Sequence, residues 1–312
     1  MARGPHRAAA VTVKAYAPHV AFVAPARASS ALIQTVVGFI AVEFLYGVGR
    51  QTLDFFLINL APEAAADVID RVSPGAILWD LFTFGLMIAV LALVVWKTHD
   101  RGLGSLIGNP RVAPRDFLRA FIGAAVLFLT LELALPWWGS DTPTMQSLRY
   151  WLLLLPWSLL ALLVQTSAEE LFYRGYLQQQ LAARFRQTWV WLVVPNVAFA
   201  SVHWFNEAAF EDSTRYVIWA FMFGVAASDL VARSGSLGAA IGFHLANNAF
   251  AFLVVGERGA PDSGLALFLI PPFAEPPDAA LLPAEPILNI GLGVDIGILV
   301  LAWLAVRVAI RR

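Results

Sequence analysis

Apolar residues run along this chain in stretches of fifteen to twenty, bounded by charges or prolines, from residue 31 almost to the last residue. A helix that crosses a bilayer needs about 20 mostly apolar residues at about 1.5 Å rise per residue. Eight segments have that character: Ala31–Val48, Ala76–Trp96, Phe117–Pro136, Tyr150–Ser167, Trp189–His203, Tyr216–Val231, Leu237–Val255 and Leu288–Val308. The fifth is short and contains Pro195. The pattern predicts an all-α protein, a polytopic integral membrane bundle with about eight transmembrane helices. The chain then divides into a cytoplasmic N-terminal tail or interfacial segment (1–30), N-terminal transmembrane helices (31–149), a central core (150–255), a Pro-rich external loop (256–287) and a C-terminal transmembrane helix (288–312). The basic start and the apolar run Val20–Ala28 imitate a secretory signal, but Pro18, His19 and Pro25 interrupt it.

Composition agrees with this division. The 312 residues are 59% hydrophobic and only 14% charged, with a mean hydropathy of +0.69, whereas soluble domains carry about 25% charged residues. The absence of cysteine excludes disulfides, thiol catalysis and cysteine metal ligands. A formal charge of −1, with no basic patch, leaves no footprint for nucleic acid. Basic residues instead separate by membrane side. With the N-terminus inside, 16 of the 21 fall on the cytoplasmic side, and Arg50, Arg71, Arg149, Arg215 and Arg258 fall opposite. Cytoplasmic loops are enriched in Lys and Arg, so both termini are expected to face the cytoplasm. Arginine-rich, alanine-rich usage points to a bacterial cytoplasmic membrane.

Three polar motifs interrupt the oily background: Glu169-Glu170 with Arg174, Phe199 with His203, and His244 with Asn248. Ionisable groups at membrane depth are costly and mark functional sites by default. Glu170 and Arg174 are four apart on one helical face and form a charge pair, while Glu169, rotated by about 100°, is free to point into the bundle. The helical pattern carries on through Leu177 into Gln178-Gln179-Gln180, so both carboxylates lie inside a longer helix. Phe199 and His203 share a face, as do His244 and Asn248. If the three helices pack together, a carboxylate, two imidazoles and an amide converge at one water-accessible point. That inventory suits peptide hydrolysis: a carboxylate base activates water, His203 holds or relays the proton, and His244 with Asn248 donates to the developing oxyanion.

The motifs Glu-Glu-x-x-x-Arg, Phe-x-x-x-His and His-x-x-x-Asn, in this order on successive membrane helices, resemble those of the CAAX protease and bacteriocin-processing (Abi) family, which includes the type II CAAX prenyl endopeptidases. The resemblance covers roughly residues 150 to 255. It implies an α-helical intramembrane endopeptidase in which Glu169 activates water, His203 is its partner, and His244 and Asn248 are oxyanion donors, with Glu170, Arg174 and Phe199 in support. It also implies a membrane-associated or lipidated peptide or protein substrate within the lipid bilayer. The site is expected to open towards the cytoplasmic half of the bilayer. A cofactor-free mechanism is favoured, with zinc bound by Glu169, His203 and His244 as the alternative; the His-Glu-x-x-His helix of many zinc proteases is absent. The further intramembrane acids Glu43, Asp80, Glu132, Asp229 and Asp295 keep an ion- or proton-coupled transporter in view as a competing class, beside a non-catalytic scaffold.

Overall fold

A computed structural model describes residues 14–134, 143–207, 209–272 and 285–312. Its helices are α1 (Ala17–Val23), α2 (Leu32–Leu60), α3 (Pro62–Asp70), α4 (Pro74–His99), α5 (Ala113–Ala134), α6 (Leu148–Glu169), α7 (Gln179–Arg184), α8 (Thr188–Ser201), α9 (Phe210–Ser234), α10 (Gly238–Leu253) and α11 (Ile290–Ile310). A π-helix over Glu170–Gln178 joins α6 to α7, so one rod runs from Leu148 to Arg184.

Each of the eight apolar segments forms a helix within its described residues, and the helices differ in length. Among the described residues, six helices are long and apolar enough to cross a membrane: α2, α4, α5, the α6–α7 rod, α9 and α11. Helices α8 and α10 have 14 and 16 residues, about 21 and 24 Å at the helical rise, short of a hydrocarbon core of about 30 Å. The first predicted span also ended too early. Its helix continues past Arg50 because that residue pairs with Asp54 one turn on (3.1 Å) and with Asp80 on α4 (2.6 Å), so the charges are satisfied within the helix pair and do not end it.

Outward faces are apolar. Ile33, Val37, Ile40 and Phe44 form an exposed stripe on α2, and Leu118, Ile122, Val126, Leu129 and Leu133 form one on α5, both at helical spacing. Such stripes are unfavourable in water and ordinary in lipid. Inside, α10 lies against α5 with almost no gap. A Cβ on Gly238 would fall 2.0 Å from the Ala113 carbonyl oxygen, and one on Gly242 would fall 2.2 Å from that of Phe117. Small residues four apart let two backbones touch, and this contact fixes the depth of His244, two residues after Gly242.

Two regions differ from the sequence expectation. Residues 14–29 are packed and helical: α1 and the flanking 3-10 turns bury His19, Phe22, Val23 and Ala26, forming a strap across the end of the bundle that carries Lys14 and Arg312. Burial there pushes His19 down to about 4. The described part of the Pro-rich loop contributes to a small sheet. Val255–Glu257 (β2) pairs in parallel with Phe268–Ile270 (β3), and Thr144–Met145 (β1) pairs antiparallel with β3, Thr144 opposite Leu269. Proline removes donors only where it stands, and the run Leu265 to Ile270 contains none. Pro276, Pro277 and Pro283 lie outside the described residues.

Candidate active site

The central rod delivers the paired acids. Pro156 is accommodated within α6, and the helix widens to π geometry directly after Glu169. Stretches of π-helix are rare and frequent at functional sites. Here every residue from Glu170 to Gln178 is buried, so tertiary packing holds the unusual winding. One face of it carries Glu170, Arg174 and Gln178 towards α8, α9 and α10.

The two glutamates have different surroundings. Glu170 is fully buried and accepts from Arg174 Nη1 at 3.1 Å, and Arg174 is fully buried too. Its Oε1 also meets His244 Nδ1 at 2.9 Å. Glu169 lines a cavity of about 890 Å³; its Oε2 is buried with no hydrogen-bond partner, with His244 Nε2 3.6 Å away. The expected division between a locally neutralised Glu170 and an inward-facing Glu169 is therefore present, but His244 is tied to both acids, which spacing alone did not indicate.

His203 follows the last turn of α8, and its Nδ1 lies 2.8 Å from the Phe199 carbonyl oxygen. A carbonyl only accepts, so Nδ1 carries the proton and Nε2 keeps its lone pair in the neutral ring. The Phe199 ring is edge-on to both imidazoles, with centroids 4.7 Å from His203 and 6.3 Å from His244, and the Arg174 guanidinium lies 4.4 Å over it. Asn248 donates from Nδ2 to Gln165 Oε1 at 2.9 Å and accepts from Asn247 Nδ2 at 3.1 Å. Glu169, His203, His244 and Asn248 all line the same cavity. Among the described residues, no group of three or more His, Asp or Glu side chains is placed to hold a metal ion.

With this geometry in view, the comparison with known families is specific. Residues 151–250 match the model of the type II CAAX prenyl endopeptidase Rce1-like family. This segment is similar to that family. An uncharacterized protein of Bacillus subtilis, YyaK, is 23% identical over 264 residues, 80% of this chain and 87% of its own length. No solved structure matches. The Rce1-like segment runs from α6 to α10 and contains all three motifs, and the family is one of peptidases.

Within the Rce1-like segment the structure adds residues that the motifs did not name. Fully buried Asn196 accepts from Arg174 Nη2 at 3.2 Å and donates to Ser228 Oγ at 2.8 Å and to the Leu192 carbonyl at 2.7 Å. Gly224 makes room for this: a Cβ there would fall 2.5 Å from Asn196 Oδ1 and 2.9 Å from Arg174 Nη2. Asn196 precedes Phe199 by three and His203 by seven, and Gln165 precedes Glu169 by four, so helical spacing contained a signal for both. Outside the segment, Glu43 on α2 accepts from Tyr173 Oη at 3.4 Å and, like Asp295, lines the cavity. Asp80 is bridged by Arg50 and Arg71, and Asp229 by Arg233, Tyr16 and Trp303. Those two acids have local partners, and Asp80 lines the cavity as well.

The direction of the cavity corrects one expectation. It reaches Arg71, Glu207, Arg215, Asp262 and Asn289, which stand at the end of the bundle opposite Lys14 and Arg312. Termini facing the cytoplasm and a site opening to the cytoplasmic half cannot both hold. Sequence spacing gave the depth of the motifs but not which end of the helices the packing leaves open.

Proposed function

We propose that this chain is an intramembrane endopeptidase that hydrolyses a peptide bond of a membrane-associated or lipidated polypeptide. The observation that carries this reading is Glu169, whose buried Oε2 has no hydrogen-bond partner, on the wall of the cavity that His203, His244 and Asn248 also line.

In the proposed reaction Glu169 takes a proton from water as its oxygen attacks the peptide carbonyl carbon, and the carbonyl electrons move onto oxygen. His203 Nε2, free to accept, orients that water or relays its proton. The remaining Asn248 Nδ2 hydrogen and His244 Nε2–H, present when the ring is protonated, donate to the oxyanion. Collapse breaks the C–N bond, and the proton passes to the leaving amine. Glu170 and Arg174 anchor His244 and Phe199 and touch no reacting atom. The reaction is proposed to be metal-independent.

Profiling membrane-protein termini in cells expressing wild type or Glu169→Gln tests this. New termini that vanish in the variant, and persist in the presence of strong chelators, are expected. Identical termini in both would favour a non-catalytic scaffold, and loss with chelator restored by zinc would favour the metal mechanism.

A further inference from the structure

We propose that the cavity takes its polypeptide from the non-cytoplasmic side, so that the substrate is an exported or outer-leaflet segment and not a cytoplasmic tail. This rests on the endopeptidase reading for the word substrate, but the sidedness stands on three observations of its own.

The first is the mouth. Arg71 follows α3, Asp262 lies between β2 and β3, Arg215 stands in the second turn of α9, and Asn289 caps α11; all line the cavity and all belong to one end of the bundle. That rim is built: Arg71 grips Asp262 through Nε and Nη2 at 3.1 and 2.8 Å, and Arg215 donates to the Pro286 carbonyl at 3.0 Å.

The second is the seal at the other end. Gln178, Gln179 and Gln180 are fully buried. Gln179 Nε2 donates to the Phe22 carbonyl at 2.7 Å and that of Ser105 at 3.1 Å, Gln178 Nε2 donates to the Ser228 carbonyl at 3.2 Å, and Gln180 Nε2 meets His99 at 2.9 Å. Gln179 thereby pins the strap and the Leu103–Leu106 turn over that end, and the main cavity does not reach it. Gly235, at φ +74, presses against Pro18, where a Cβ would fall 2.9 Å from the proline carbonyl oxygen; a left-handed backbone position without a side chain lets the strap close.

The third is charge. With Arg174 buried in the core, thirteen described Lys and Arg residues belong to the sealed end and five to the open end. The positive end of a membrane bundle stays in the cytoplasm, so the open end faces out.

The chain contains no cysteine, so single-cysteine variants report sidedness without background. In intact bacterial cells, a membrane-impermeant maleimide is expected to label Glu207→Cys at the mouth and to label Gln187→Cys, on the exposed turn between α7 and α8, only after permeabilisation. Labelling of Gln187→Cys in intact cells, or silence of Glu207→Cys until the cells are opened, would overturn the proposal. In a second arm, the cleavage sites lost in Glu169→Gln cells should map to non-cytoplasmic segments, and sites in cytoplasmic segments would overturn it. The labelling needs no catalysis, so an inactive protein with outward labelling would refute the endopeptidase reading alone.

Discussion

Two consecutive acids carry different duties because their neighbours differ. Glu170 is enclosed by Arg174 and His244, and removing one partner of a buried pair leaves an uncompensated charge that costs about 3–5 kcal/mol. Arg174→Met is therefore expected to lower the thermal midpoint of the purified protein in detergent by many degrees or to abolish folded yield. Glu169→Gln, beside a cavity and without a hydrogen-bonded cation, is expected to leave that midpoint within a degree or two while cleavage falls by about 10²–10⁴-fold, the usual contribution of a general base. A comparable midpoint loss in both variants would mean that the acids are one structural unit. Asn248→Ala is expected to lower kcat by about 10²–10³-fold with little change in KM, as an oxyanion donor does; a KM effect alone would make it a binding residue.

At the scale of elements, the site is held by close approaches between helices. Gly224 on α9 leaves space for the Arg174–Asn196 contact, and Gly224→Ala should cost about 1–3 kcal/mol by overpacking, read as a lower midpoint with activity reduced but retained in the folded fraction; an unchanged midpoint would show that Asn196 can swing away. This level also shows where sequence was informative. Helical spacing found Glu170 with Arg174 and His244 with Asn248 because residues four apart share a face in any helix, and apolar runs found each long helix. It missed the π-helix after Glu169, the twelve further residues of α2 from Gly49 to Leu60, and the pairing of β2 with β3. Those depend on partners distant in sequence: Asn196 and His244 for the π stretch, Asp80 for Arg50, and Thr144 for Leu269. The strap was hidden for the same reason, since Phe22 and His19 become core only once Gln178 and Gln179 lie over them.

For the whole molecule, one end is closed and the other open. His19 is held neutral under the closed end, with its folded value, about 4, below the ordinary histidine value of about 6.5. A depressed folded value gives stability that is present above the unfolded value and lost as pH falls through the folded one. Hydrogen exchange over residues 14–29 should accordingly quicken as pH drops from about 6.5 towards 4, after correction for intrinsic rates, and His19→Gln should flatten that dependence; equal profiles would place the pH response elsewhere. The account as a whole depends on Glu169 delivering water to a peptide bond in this cavity. The direct measurement is to incubate wild type and Glu169→Gln in proteoliposomes, in ¹⁸O-labelled water, with a substrate peptide recovered from terminus profiling, and to read the product by mass spectrometry. One ¹⁸O atom in the new carboxylate with wild type and no product with Glu169→Gln is the expected result. Product of the same labelling and rate from both proteins would contradict it.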